Sequence, residues 1–295
     1  MVTYPINGDT LTFVKRRSQP YLTQAHRVTK GATVVNRFVD KLKGYADLSD
    51  AEVNLLESAS RDGRRYARNH DLIREGDTPS AVIVIMDGWA CRYKILPDGN
   101  RQIISFLMPG DFCDLHVATL TKMDHGIATI TAATVVTLPR EVIERLTNAS
   151  PTLTKAFWWT QLVDEGVLRA TIVSLGRRSS VERVAHLLVE LTFRMLNIGI
   201  ASEDGFAFPF SQIVLADAVG LTPVHVNRVV GDLRRAGALT VKKASLIVAD
   251  LPKLAAIAGF DENYLHRRGA HIDLLASQSD RADAARQTLA RVGSR

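Results

Sequence analysis

The chain has 295 residues, of which 46% are hydrophobic and 23% charged, with a formal net charge of +6 at pH 7. That composition excludes a disordered chain and leaves room for two domains, each with its own core. The positive balance suits a nucleic-acid partner without requiring one.

Two cysteines, Cys91 and Cys113, are too few for a disulfide framework or a four-cysteine cluster, and they fit a reducing cytoplasm. The apolar runs, such as residues 81–86, are too short to span a membrane, and the N-terminus lacks a signal-peptide layout. Residues 1–34 are mixed and polar, with no clear period, and read as an N-terminal extension. Helical spacing runs from Arg37 to Ser60. There Ser49 and Glu52 stand at the spacing of a capping box, ahead of Val53, Leu55 and Leu56. Between residues 71 and 138, short β-branched runs alternate with turn signals at Asp87-Gly88, Pro97-Asp98-Gly99-Asn100 and Pro109-Gly110-Asp111. This texture predicts an antiparallel β-barrel or jelly roll inside a domain of residues 35–148.

After Pro139 the period turns helical again. Ser150-Pro151 is a cap followed by a first-turn proline, and it opens a long helix expected to end near Leu175. Its apolar stripe includes Leu153, Phe157, Trp158, Leu162, Val163, Val167, Ile172 and Val173. The stripe is broad enough to pack on the β domain with one side and on a partner chain with the other; burial within one chain is the alternative. Gly176 interrupts the pattern, so residues 149–176 read as a long helix ending in a hinge. Ser179 and Glu182 then repeat the capping-box spacing.

Residues 215–235, LADAVGLTPVHVNRVVGDLRR, read as two short helices around a tight turn at Gly220. Thr222 suits the N-cap and Pro223 the first helical position. Val226, Val229, Val230 and Leu233 share a core-facing stripe, which leaves Val224, His225, Asn227 and Arg228 on the outer face. Arginine bonds guanine edges bidentately and asparagine does the same to adenine. Ser211 precedes the first helix, where it would both cap and touch a phosphate. After Leu239, two β-prone runs flank Lys242, Lys243 and Ala244 and predict a small basic wing. An ordinary helical hairpin with a solvated turn is the competing reading. A last short helix follows Asp250-Leu251-Pro252. The domain therefore spans residues 177–260, and residues 261–295 read as a charged, Ala-rich tail with no core face.

The chain resembles the Crp/Fnr family of bacterial transcription regulators, in the branch common in alphaproteobacteria. The resemblance rests on REGD at residues 74–77, MDGWACRYK at 86–94, DGNRQIISFLMPGDF at 98–112 and LADAVGLTPVHVNRVVGDLRRAGAL at 215–239. It implies an α+β fold with three parts: an N-terminal jelly-roll barrel of cyclic-nucleotide-binding type, a long dimerisation helix, and a C-terminal winged helix-turn-helix domain. Ser211 and Gln212 match phosphate-touching positions, while Val224, His225 and Arg228 match base-reading positions. Thr222, Pro223, Asn227, Lys242 and Lys243 complete the expected DNA-binding set. Arg228 keeps the family's arginine. Val224 stands where glutamate is usual, so the usual half-site is not carried over, and His225 and Asn227 are left to supply polar readout. The resemblance further implies a cytoplasmic homodimer on palindromic promoter DNA, with RNA polymerase as a protein partner.

The barrel departs from the pattern. Cyclic-nucleotide binders carry a glutamate and an arginine in a phosphate cassette, and the matching residues 110–131 contain neither. Asp114 lies near the glutamate position, and His125 and Gly126 lie where the arginine would be. Asp111, Asp114 and Asp124 outnumber the one lysine, Lys122. A phosphate there would meet carboxylates without a bidentate partner, so cyclic AMP is not expected as the effector. The iron–sulfur sensors need four cysteines, several near the N-terminus, and none here precedes Cys91. The candidate effector residues are Asp111, Cys113, Asp114, His116 and His125, with no cofactor predicted. Haem ligation through Cys113, His116 and His125, thiol chemistry at Cys91 and Cys113, and a regulator that needs no ligand all stay open. An enzymatic reading finds no His-x-His pair, nucleophile elbow or P-loop to stand on.

Overall fold

The computed structural model describes residues 2–6, 9–13, 35–113, 115, 120–200, 207–242 and 245–267. The chain divides into two units, the first ending at Val35. The first contains an antiparallel hairpin of β1 (Val2–Ile6) and β2 (Asp9–Phe13), which the polar sequence pattern did not signal.

The second unit opens with α1 (Arg37–Lys43), capped by Asn36, and α2 (Asp50–Ala59), where Ser49 and Glu52 form the expected capping box. Eight strands follow: β3 (Arg64–Tyr66), β4 (Asp71–Ile73), β5 (Ala81–Asp87), β6 (Ala90–Ile95), β7 (Arg101–Leu107), β8 (Phe112–Cys113), β9 (Gly126–Thr129) and β10 (Ala133–Pro139). They make two antiparallel four-stranded sheets, ordered β3-β10-β5-β8 and β4-β9-β6-β7, which is the expected jelly roll. Its interior is apolar, with Ile83, Ile85, Leu107, Met123, Ile127 and Val135 packed together.

Helix α3 (Arg140–Ala149) leads to α4 (Pro151–Arg177), capped by Ser150. The long helix does not break at Gly176. It continues to Arg177, and the break falls at Arg178, whose backbone is extended at φ −78°, ψ 145°. Ser179 is extended too and caps α5 (Ser180–Asn197) through the predicted box with Glu182. The start of the next helix therefore sets the break, and the glycine is tolerated inside the last turn of α4.

Then come β11 (Ala207–Phe208), α6 (Gln212–Val219), α7 (Pro223–Arg235), β12 (Leu239–Lys242), β13 (Ser245–Val248) and α8 (Leu251–Ala258). Strands β11, β13 and β12 form a three-stranded sheet that includes the predicted wing.

The helical domain and the barrel do not keep separate cores. One apolar cluster runs from Val184, Leu188, Phe193 and Leu233 to Trp89, Phe106 and Met108 on the barrel. Phe210 is the bridge, with its ring edge-on to Trp89 at 4.9 Å and stacked on Phe106 at 4.6 Å.

Residues 261–267 also depart from expectation. They pack on the fold as a 3-10 turn (Glu262–Leu265), with Glu262 and Leu265 buried. Tyr264 donates its hydroxyl to Glu190 at 2.9 Å, and the Trp159 indole donates to the His266 carbonyl at 2.8 Å. One turn is too short to show a period, which is why the sequence read it as tail. Gly166 on α4 makes room for it: a Cβ there would meet the Tyr264 carbonyl oxygen at 2.3 Å.

Two outcomes test this packing. Gly166→Leu is expected to cost roughly 1–3 kcal/mol by overpacking and to expose Arg267 to trypsin; wild-type stability and cleavage would contradict it. His186 is buried, with its ring stacked on Tyr264 at 5.8 Å. Burial, and secondarily Arg178, push its imidazole from 6.5 down to about 4. The unfolded chain therefore takes up this proton at a pH where the folded chain refuses it. The contribution is intact above pH 6.5 and is lost as pH falls toward about 4, by on the order of 3 kcal/mol. The difference in unfolding free energy between the wild type and His186→Phe should shrink over that window; a pH-independent difference would contradict the assignment.

Candidate nucleic-acid interface

Helix α6 buries Val214, Leu215, Ala216, Ala218 and Val219. Ser211 caps it, accepting from the Val214 N–H. The helix ends at Gly220 in the left-handed conformation, φ 63°, where an L side chain would be strained. The chain turns through 99° into α7. Thr222 caps α7 by accepting from the His225 N–H at 3.2 Å, and Pro223 occupies its first turn.

Val226, Val229, Val230 and Leu233 are buried, as the spacing predicts. The opposite edge is open. Val224 is 82% exposed, and Thr222, Pro223, Asn227, Arg228 and Gln212 are exposed as well. The helix N-terminus adds partial positive charge to this edge.

Two placements were not legible in the sequence. His225 is half-buried, and its Nε2 lies 3.1 Å from the Ser180 hydroxyl on α5, so its ring faces the domain rather than the open edge. Position 225 stands one turn before the buried Val229, on the same side of α7. Gln212 donates from Nε2 to the Asn227 Oδ1 at 3.0 Å, joining the exposed tips of α6 and α7. On the wing, Lys242 ends β12 opposite Ser245; Lys243 lies outside the described residues.

The effector candidates among the described residues, Asp111, Cys113 and His125, do not converge. Asp111 is 3% exposed and turned away from the barrel interior. It pairs with Lys41 on α1 and with Arg194 on α5 (2.7 Å), and it accepts from the Met108 N–H. Burial alone would raise its pKa, but Lys41 and Arg194 outweigh that and hold the carboxyl below its usual range. Cys113 is fully buried in the apolar interior. The His125 Nδ1 lies 2.7 Å from an Asp124 carboxylate oxygen, and that hydrogen bond holds the Asp124 carboxyl low. Asp114 and His116 lie outside the described residues. Burial pushes the Cys91 thiol up to about 12.

The polar joint between barrel and helical domain was also missed. Arg194 donates to the Phe106 carbonyl as well as to Asp111, Arg101 pairs with Asp217 at 2.7 Å, and Arg37 donates to the Ile198 carbonyl at 2.8 Å. The signal available was Glu190 and Arg194, an i,i+4 charged pair within the mostly apolar second half of α5. Among the described residues, no single helix is long and apolar enough to cross a membrane.

Comparison with known proteins agrees with this architecture. Residues 182–257 match the family described as the Crp-like helix-turn-helix domain, and residues 63–150 match the cyclic nucleotide-binding domain. The chain is 30% identical over 198 residues to the nitrogen fixation regulation protein FixK of Bradyrhizobium diazoefficiens, covering 66% of this chain and 82% of that protein. It is 26% identical over 204 residues to the transcriptional activator protein FnrL of Cereibacter sphaeroides, covering 68% and 82%. The solved structure of FixK2 from Bradyrhizobium japonicum shares the fold, with a TM-score of 0.57 at 24% identity over 71% of this chain and 98% of that one. A barrel of cyclic-nucleotide-binding type, a long helix and a Crp-like reading head thus occur in one chain, which belongs to the Crp/Fnr family of DNA-binding transcription regulators.

Proposed function

We propose that the protein reads two-fold promoter DNA as a homodimer, with Arg228 contacting guanine, and that cyclic AMP is not its effector. The observation that carries the DNA reading is the open edge of α7. Val224, Asn227 and Arg228 face outward while the opposite stripe is buried. Arg228 brings the bidentate donor pair that guanine accepts, and Val224 brings apolar contact for a thymine methyl. The Asn227 carbonyl is taken by Gln212, so its amide N–H groups are left to donate to base or phosphate acceptors.

The dimer reading rests on α4. Part of its apolar stripe is buried within the chain at Leu153, Phe157, Val163 and Val167. The rest faces outward, with Trp158 75% and Ile172 69% exposed beside Leu162 and Val173. A second copy related by two-fold symmetry would cover that face and set two reading heads for half-sites one helical turn apart. The relatives named as regulators and activators support placing this chain at promoters in the cytoplasm, with RNA polymerase as the protein partner.

For the barrel, residues 110–131 supply neither the arginine nor the glutamate of a phosphate cassette. Asp111 is committed to Lys41 and Arg194, and Cys113 is packed among apolar side chains. These placements support a barrel that works without cyclic nucleotide.

Arg228→Ala should lose about 1–3 kcal/mol of affinity per half-site in fluorescence anisotropy, while sedimentation still finds the dimer; wild-type affinity would sink the assignment. The log of the binding constant should fall steeply with log salt, by about 0.9 per phosphate neutralised, and a flat line would argue against a phosphate-clamping head. Millimolar cyclic AMP is expected to leave both the melting temperature and the DNA affinity unchanged. Cys91 should react with a thiol reagent such as DTNB only on unfolding, and fast reaction of the native thiol would contradict its burial.

A further inference from the structure

Where the barrel, α4 and α5 meet lies a cavity of about 130 Å³ that contains none of the DNA-reading residues. Its polar walls come from five places: Lys41 and Tyr45 after the first turn of α1, Asp111 beyond β7, Asp164 on α4, Arg194 on α5, and Arg267 after the C-terminal turn. The lining thus holds three cations and two carboxylates.

Both acids are already engaged. Asp111 accepts from Lys41, Arg194 and the Met108 N–H, and Asp164 pairs with Arg92 at 3.2 Å. Asp164 uses only Oδ2 in that pair, and unused donors lie beside it. Arg267 gives Nη1 to Glu262 at 2.9 Å, but its Nε–H is buried with no partner among the described residues. An ammonium has three donors, and one of those on Lys41 goes to Asp111. Tyr45 borders the same space. A confined space bordered by unused donors complements oxygen acceptors that carry negative charge.

We propose that this cavity binds a small oxyanion, a carboxylate or phosphate of few heavy atoms, as an effector shared between the barrel and the DNA-binding domain. Its size selects such a ligand, since pockets for drug-sized molecules start at roughly 300 Å³, and a cyclic nucleotide is too large for it. The walls come from both α5 and the barrel side, so only the docked arrangement presents the whole site. Occupancy therefore favours docking by the difference in affinity between docked and undocked forms. The signal enters at the joint of the two domains and not in the apolar barrel interior.

The test is thermal unfolding of the full chain, titrated at constant ionic strength with acetate and succinate in one arm and inorganic phosphate in the other, with chloride as control. It is read without DNA, so it stands or fails separately from the role of Arg228. The expected result is a saturable rise in melting temperature in the carboxylate or the phosphate arm. Arg267→Gln should weaken the apparent Kd by about tenfold, the scale of one lost charge-assisted hydrogen bond. Tyr45→Phe removes only a hydroxyl and should weaken it less; it carries the test if the arginine variant does not fold. Absence of saturation in both arms, a response equal to that of chloride, or a saturable response unchanged in both variants would each overturn the proposal.

Discussion

Asp111 is a buried carboxylate, and a buried charge persists only where opposite charges and hydrogen bonds surround it. Its two cations come from distant parts of the chain: Lys41 from the helix that opens the barrel, and Arg194 from the first helix of the DNA-binding domain. Meeting this one requirement brings α1, the turn between β7 and β8, and α5 to a common point. Arg194 is fixed further by the Phe106 carbonyl and Glu190. The apolar contacts of Phe210 with Trp89 and Phe106 then continue the same junction. The position of the reading head relative to the barrel follows from these contacts, and not from α4 alone.

This arrangement separates two kinds of chemistry. The barrel interior, where the family fold would house a nucleotide, is filled by aliphatic side chains in the described residues. The ionisable groups gather instead at the joint, around Asp111, Asp164, Glu190 and Arg194. The proposed oxyanion site follows from that redistribution. On the DNA side, the hydrogen bond between Gln212 and Asn227 and the turn of His225 toward Ser180 reduce the outward polar set to fewer groups than the spacing alone implies. Arg228 is left as the principal candidate for reading a base.

What could be read from the sequence was local. Helix starts are set within four residues, and the caps at Ser49, Ser150, Ser179 and Thr222 all form where the motifs predict. The barrel was legible through its turn residues, and the open edge of α7 through a 3.6-residue period. What escaped was long-range or aperiodic. Lys41 and Arg194 lie 70 and 83 residues from Asp111, and no periodicity encodes such a pairing. The strap at residues 261–267 is one turn long, so it shows no stripe. The glycine at 176 suggested a hinge, but the cap of the next helix set the break two residues later, at Arg178. The cores were expected to be separate because sequence patterning reports which residues are buried and not what they are buried against.

Asp111 and Arg194 should be energetically coupled across the joint. A double-mutant cycle on unfolding free energy with Asp111→Asn, Arg194→Met and the double variant tests it directly. Each single change is predicted to cost about 3–5 kcal/mol, because it strands a buried charge. The double variant should cost less than the sum by more than about 1.5 kcal/mol. Costs that simply add would show that the two residues act independently and that their buried pairing does not hold the joint.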